Sequence, residues 1–124
     1  MNHLTNIFKI LSDETRLRII ILLYHEELCV CELSGILEVP QSRISKNLSK
    51  LRDLNLVIDE RKEKFVFYKL KNENKLFLDI INNVMSGFGS YPQLMFDQSR
   101  LKDKEKYLNQ CSVVERRTME VLQI

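Results

Sequence analysis

Three features of the 124-residue sequence predict a mainly α-helical fold with one β-hairpin, laid out as a winged helix-turn-helix. Apolar residues recur at helical spacing from residue 4 to about 54, the period shortens to two over 56–70, and helical spacing returns at about 73. The length suits one domain with a real core and excludes most multi-domain enzymes. With 44% hydrophobic and 29% charged residues, three Gly and two Pro, the chain is too apolar for disorder and too poor in turn formers for long loops.

Each element has its own signal. Leu4, Ile7, Phe8 and Leu11 fall at i, i+3, i+4 and i+7, predicting a first helix over 4–11. Ser12-Asp13-Glu14 supplies a capping hydroxyl and first-turn acids for a second helix over 13–25. Its stripe of Leu17, Ile20, Ile21 and Tyr24 is widened by Ile19, Leu22 and Leu23, so burial on most sides is expected. A third helix, Cys31 to Leu37, ends at Glu38-Val39-Pro40, because proline disfavours helix before it and suits a new first turn. The fourth helix, about 41–54, turns Ile44, Leu48 and Leu51 inward. Two helices joined by so short a turn have the helix-turn-helix layout. Leu56 to Glu60 and Phe65 to Leu70 then alternate around a charged tip, Arg61-Lys62-Glu63-Lys64, as a β-hairpin wing. A fifth helix, about 73–87, carries Leu76, Phe77, Ile80, Ile81 and Val84 on one face. Beyond it, Leu94, Leu101 and Leu108 lie seven apart and lead to Cys111, as in a helix seeking a partner. We therefore expect residues 1–92 to form a winged helix-turn-helix unit for DNA binding and dimerisation, and 93–124 a helical tail.

Charge is unevenly placed. Residues 41–71 hold nine Lys and Arg against four acids, a local charge of +5 in a chain of net +2. Such a block suits a phosphate-binding face. The outer side of the fourth helix presents Gln41, Ser42, Arg43, Ser45, Lys46, Asn47 and Lys50. Arg can fork onto guanine, Asn or Gln onto adenine, and hydroxyls and Lys reach phosphates. The N-terminal turn of such a helix enters the major groove of double-stranded DNA. Arg61, Lys62 and Lys64 on the wing would sit on flanking phosphates.

In this order of elements, L-S-D-E-T-R-L-R-I at 11–19, E-L-C-V-C-E-L at 27–33, V-P-Q-S-R-I-S-K-N-L at 39–48 and F-V-F-Y-K-L at 65–70 resemble the ArsR/SmtB family of winged-helix repressors, over about residues 5–85. The resemblance is closest to arsenical-resistance-operon repressors. It implies a homodimer paired through the first and fifth helices on a two-fold operator. Asn47 stands where many members have His, which bears on base preference and not on docking.

Cys29 and Cys31 are two apart, and in a regular helix their side chains would diverge by about 200°. With Cys29 just before the first turn, extended backbone can bring both sulfurs together. Helix N-terminal amides are expected to lower the thiol pKa. Soft thiolates select soft ions: copper(I), zinc, cadmium, lead or trivalent arsenic. Small buried cysteines that merely pack are the plain alternative. The C-x-C within E-L-C-V-C-E-L looks like arsenite- and cadmium/lead-sensing members of the family. Residues 1–28 hold no cysteine for the N-terminal ligands of the cadmium and lead type. Asp79 has no histidine beside it on the fifth helix for a zinc-type site, and His3 and His25 read as exposed. Trivalent arsenic or antimony, which needs two or three thiolates in a pyramid, fits best as inducer. Ser34 occupies the place of a third cysteine in some arsenic-sensing relatives. Cys111 packs in a helix contact or supplies a third ligand, from the same subunit or its partner.

The expected function is a metalloid-responsive repressor released from operator DNA by arsenic or antimony. A cadmium/lead- or redox-responsive repressor of the same fold is the alternative. A thiol enzyme is not expected, since the chain lacks C-x-x-C, a Gly-rich phosphate loop and a histidine placed to activate a thiol. An adaptor that uses its winged helix for protein contact fits the basic block poorly. The odd cysteine count and the lack of an apolar leader lead us to expect reduced thiols and a cytoplasmic protein, with no catalytic cofactor and no membrane association.

Overall fold

The run Ile19–Leu23 decides the architecture. All five residues are buried, so their helix must be surrounded. In the computed structural model, which describes residues 2–108, this helix is α2 (Glu14–His25), and it touches α1 (Asn2–Leu11), α3 (Val30–Leu37), α4 (Gln41–Asp53) and α6 (Pro92–Ser99). The fifth helix, α5 (Lys75–Ser86), contributes Phe77 and Ile81 to the same core. Asp13 caps α2, its carboxylate accepting from the Arg16 N–H at 2.9 Å. Ser12, expected as the cap, instead closes α1 by donating its hydroxyl to the Lys9 carbonyl at 2.7 Å. The carboxylate one residue on is the better-placed acceptor, and it also faces the positive end of the helix.

The wing is β2 (Val57–Lys62) and β3 (Phe65–Leu70), antiparallel, with Lys62 opposite Phe65. The tip is therefore two residues, Glu63-Lys64, shorter than the expected four, with Arg61 and Lys62 inside β2. Glu63 takes φ 58°, the turn a side chain other than glycine adopts at a cost. A third strand, β1 (Leu28–Cys29), was not expected. It pairs with β3, Leu28 against Tyr68 and Cys29 against Phe67, giving the sheet order β1-β3-β2. Two residues are too few to show a period, so only the sheet edge offered by β3 reveals the strand.

Three expectations about faces are corrected. Leu4 and Phe8, read as inward, are exposed at 37% and 55%, while Ile7 and Ile10 do the packing of α1. Tyr24 is likewise exposed. The tail's leucines do not await a partner helix. Leu94 and Leu101 are buried in the chain's own core, because the helix stops at Ser99 and a tight 3₁₀ turn, Arg100–Asp103, bends the chain across α3. Among the described residues, no helix is long and apolar enough to cross a membrane.

Candidate functional site

The turn between α3 and α4 is built to hold one angle. Glu38 ends α3 in the left-handed region (φ 57°), the Ser34 hydroxyl donates to the Val39 carbonyl at 2.6 Å, and the Pro40 carbonyl accepts the first amides of α4. Position 34 thus serves as a latch on the turn. Below it, Leu33, Ile36 and Leu37 of α3 join Ile44 and Leu48 of α4 in the buried core.

That packing leaves Ser42, Arg43, Ser45, Lys46 and Lys50 exposed on the outer side of α4, with Gln41 half-buried at its start. Asn47 departs from expectation. It is 6% exposed, its amide donates to the Arg43 carbonyl at 3.0 Å, and its oxygen accepts from Arg16 at 3.4 Å. The helix turns this position toward α2, so Asn47 supports α4 and is not presented to a groove. On the wing, Arg61, Lys62 and Lys64 are all exposed. Lys62 is drawn to Glu27, whose carboxylate raises the lysine pKa and fastens the wing to the α2–β1 loop. Lys64 lies 5.5 Å from the centre of the Phe65 ring, its stem lying on the wing surface.

The cysteines lie at the other end of α3. Cys29 is the N-cap, extended at φ −93° and ψ 171°. Its N–H donates to Glu32 Oε1 at 3.0 Å while the Glu32 amide faces its sulfur, a capping box with sulfur in the place of a hydroxyl. The C-x-x-E spacing is the signal that could have revealed it. Extended backbone at Cys29 gathers both cysteine side chains into one buried cluster, 1% and 3% exposed, covered by Phe67 of β3 and Leu108 of the tail. The expected lowering of the thiol pKa does not occur at Cys29. Burial pushes it up to about 12, outweighing the amide of Glu32. Glu32 is itself buried, and its carboxyl is raised by desolvation although the Cys29 amide and Lys104 oppose this. Cys29 is a free thiol, and Cys31 is disulfide-bonded. Cys111 lies outside the described residues. Among the described residues no three His, Cys, Asp or Glu gather as a metal cluster.

Two arginines that sequence reasoning passed over anchor this scaffold. Arg18 forks onto Asp97 at 2.8 and 2.9 Å, and Asp97, 1% exposed, also accepts from Gln93. Arg100 donates to the carbonyls of Gly35 and Ile36 and to the Tyr107 hydroxyl. The tail is thereby strapped from the C-terminal end of α3 to the cysteines at its start. An arginine inside an otherwise apolar helix, as at 16 and 18, was the available hint.

A family model described as bacterial regulatory protein, arsR family, matches residues 13–59. The chain is 43% identical over 74 residues to the arsenic resistance transcriptional regulator ArsR1 of Pseudomonas putida, covering 59% of this chain and 58% of that protein. It is 48% identical over 65 residues to the arsenical resistance operon repressor of Escherichia coli, covering 52% and 56%. Similarity to the cadmium resistance regulatory protein CadC of Listeria innocua is 44% over 66 residues, covering 52% and 56%. The chain thus spans a little over half the length of these curated relatives. Among solved structures, HlyU from Vibrio cholerae superposes with a TM-score of 0.61 at 32% identity, over 67% of this chain and 88% of that one.

Proposed function

The chain belongs to the arsR family of bacterial regulatory proteins, and on that footing we propose that it is a transcriptional repressor that releases double-stranded operator DNA when trivalent arsenic or antimony is captured by Cys29 and Cys31. The N-terminal turn of α4, from Gln41 to Lys46, enters the major groove; Lys50, Arg61, Lys62 and Lys64 hold phosphates. Two copies bind together through α1 and α5, where Leu4, Phe8 and Leu76 leave an exposed apolar face and Asn74 bonds His3 across the two helices at 2.9 Å.

One observation carries the inducer assignment: the two cysteines share a buried cluster at the first turn of α3, the helix that supports α4. In the reduced protein, arsenous acid reacts there without bringing net charge into the pocket. Each As–O bond that breaks is replaced by an As–S bond, and the hydroxyl leaves as water with the thiol proton. Cys111 is proposed as the third thiol; otherwise a hydroxyl stays on arsenic. The inserted atom must push on Cys29, which is at once the cap of α3 and a paired residue of β1. The support helix and the wing strand then shift together. A coupling of about 1–3 kcal/mol, typical of allostery, suffices to weaken DNA binding by about 5–150-fold.

The likeness to CadC supports a second reading, cadmium as inducer. The chemistry separates the two. A divalent cation expels one proton per thiol, whereas arsenous acid expels water. The test is binding of the reduced full chain to a duplex selected from random sequence, with and without arsenite, antimonite or cadmium, and with proton release followed in weakly buffered solution. We expect arsenite to release wild type and not Cys29→Ser/Cys31→Ser, with no net proton release. Equal release of both proteins overturns the thiol site, and release by cadmium alone transfers the assignment to the divalent ion.

A further inference from the structure

A cleft of about 320 Å³ opens between α1, α2 and α4, beside the basic side of α4, and brings two further cations, Lys9 and Arg16, up to Lys50. Asn6 and Lys9 of α1, Arg16 of α2, and Lys50 and Asp53 of α4 line it, three cations against one acid. Lys9 and Lys50 are exposed, and neither forms an ion pair among the described residues. Arg16 is the fixed wall. It donates to the carbonyls of Ile10 at 2.8 Å and Lys9 at 3.2 Å, and to Asn47 at 3.4 Å. Three of the five N–H donors of a guanidinium are thus committed to holding it in place, and its charge stays at the cleft.

The position matters as much as the charge. On α4, residues 43, 47 and 50 follow one another at spacings of three or four and share a flank, which Leu54, the cap after the helix, continues. Arg43 lies at the end that enters the groove, Asn47 bonds Arg16, and Lys50 and Leu54 line the cleft. The sugar-phosphate strand bordering a groove filled by the start of α4 runs beside such a flank.

We propose that this cleft seats a phosphodiester of the bound duplex, held by the Lys9 and Lys50 ammonium groups in the field of Arg16. The footprint on DNA then extends beyond α4 and the wing to the first helix. This rests on the DNA-binding reading above. It also gives α1 two tasks, since the same helix carries Leu4 and Phe8 on the exposed apolar face.

The test measures affinity for a labelled duplex against salt, using the full chain and the variants Lys9→Gln, Lys9→Gln/Lys50→Gln, Lys62→Gln/Lys64→Gln and Lys106→Gln. Both cleft lysines are exposed, so the variants are expected to fold, and thermal melting verifies it. Each phosphate contact contributes about 0.9 to the slope of log affinity against log salt. Lys9→Gln by itself should flatten that slope and weaken binding several-fold at low salt, and Lys9→Gln/Lys50→Gln should flatten it by about one per protomer. Flattening in the double variant with Lys9→Gln unchanged leaves the phosphate to Lys50 alone and overturns the cleft. An unchanged slope in the cleft variants, with a flatter one in the wing variant, overturns the cleft and leaves DNA binding standing. A loss of equal size in Lys106→Gln overturns the site, since any surface charge would then do. Melting in inorganic phosphate addresses the other source of the same anion: stabilisation of wild type alone, with unchanged DNA slopes, assigns the cleft to a free phosphate and overturns the proposal. No salt dependence in any protein overturns the DNA-binding reading itself.

Discussion

At position 29 two opposing influences act on one sulfur. The start of a helix favours the thiolate, and removal from water favours the thiol; with 1% exposure the second wins. His25 shows the same competition with another outcome to measure. It ends α2, beside Glu26, where its cation would be welcome, but Tyr24 and Phe88 pack against its ring and its buried Nε2 has no hydrogen-bond partner among the described residues. Desolvation lowers its pKa despite Glu26. The folded protein therefore binds fewer protons here than the unfolded chain, and stability falls as pH drops below the unfolded value of about 6.5. Glu32, held high by burial, pulls the opposite way and is common to any His25 variant. Urea midpoints at about pH 7.5 and about pH 5.5 should therefore fall more steeply on acidification for wild type than for His25→Phe. Parallel falls would show that the ring is not desolvated.

Among the elements, α6 and the turn after it behave as a strap. Asp97, which also accepts from Gln93, binds Arg18 of α2, Arg100 holds the last carbonyls of α3, and Lys104 reaches Glu26 at 2.6 Å. The Tyr107 ring lies over Gly35, where a Cβ would come within 2.1 Å of its Cγ. Only glycine leaves room for that ring. Removing a partner from a buried ion pair costs about 3 kcal/mol or more, because the remaining charge is left without solvent or counter-ion. Asp97→Ala should lower stability by about 3 kcal/mol in urea unfolding, with Asp97→Asn intermediate. A loss below about 1 kcal/mol in Asp97→Ala would mean that Arg18 finds water instead.

For the whole molecule, the exposed apolar face of α1 and α5 is the feature a lone subunit leaves unexplained. Phe8 at 55%, Leu76 at 41% and Leu4 at 37% exposure are costly on a free surface and useful between two copies. Phe8→Glu should convert a dimer into a monomer by light scattering, with helix content retained. Two reading heads linked in one dimer bind a two-fold duplex far more tightly than one, so DNA affinity should fall by about 100-fold. A Phe8→Glu protein that remains dimeric would move the interface elsewhere.

What the sequence by itself determined was the kind and order of the elements: five helices and a hairpin follow from apolar spacing, Pro40 and the change of period at 56–70, because these signals are local. The basic outer side of α4 and the placing of Cys29 just before a helix were legible for the same reason. Tertiary structure alone decided which polar residues face inward and which leucines have neighbours. Asn47 turns to Arg16, β1 exists because β3 offers it an edge, the tail packs on its own chain, and burial reverses the expected thiol acidity. Each of these depends on groups far apart in sequence, and spacing along the chain carries no record of what the fold brings alongside.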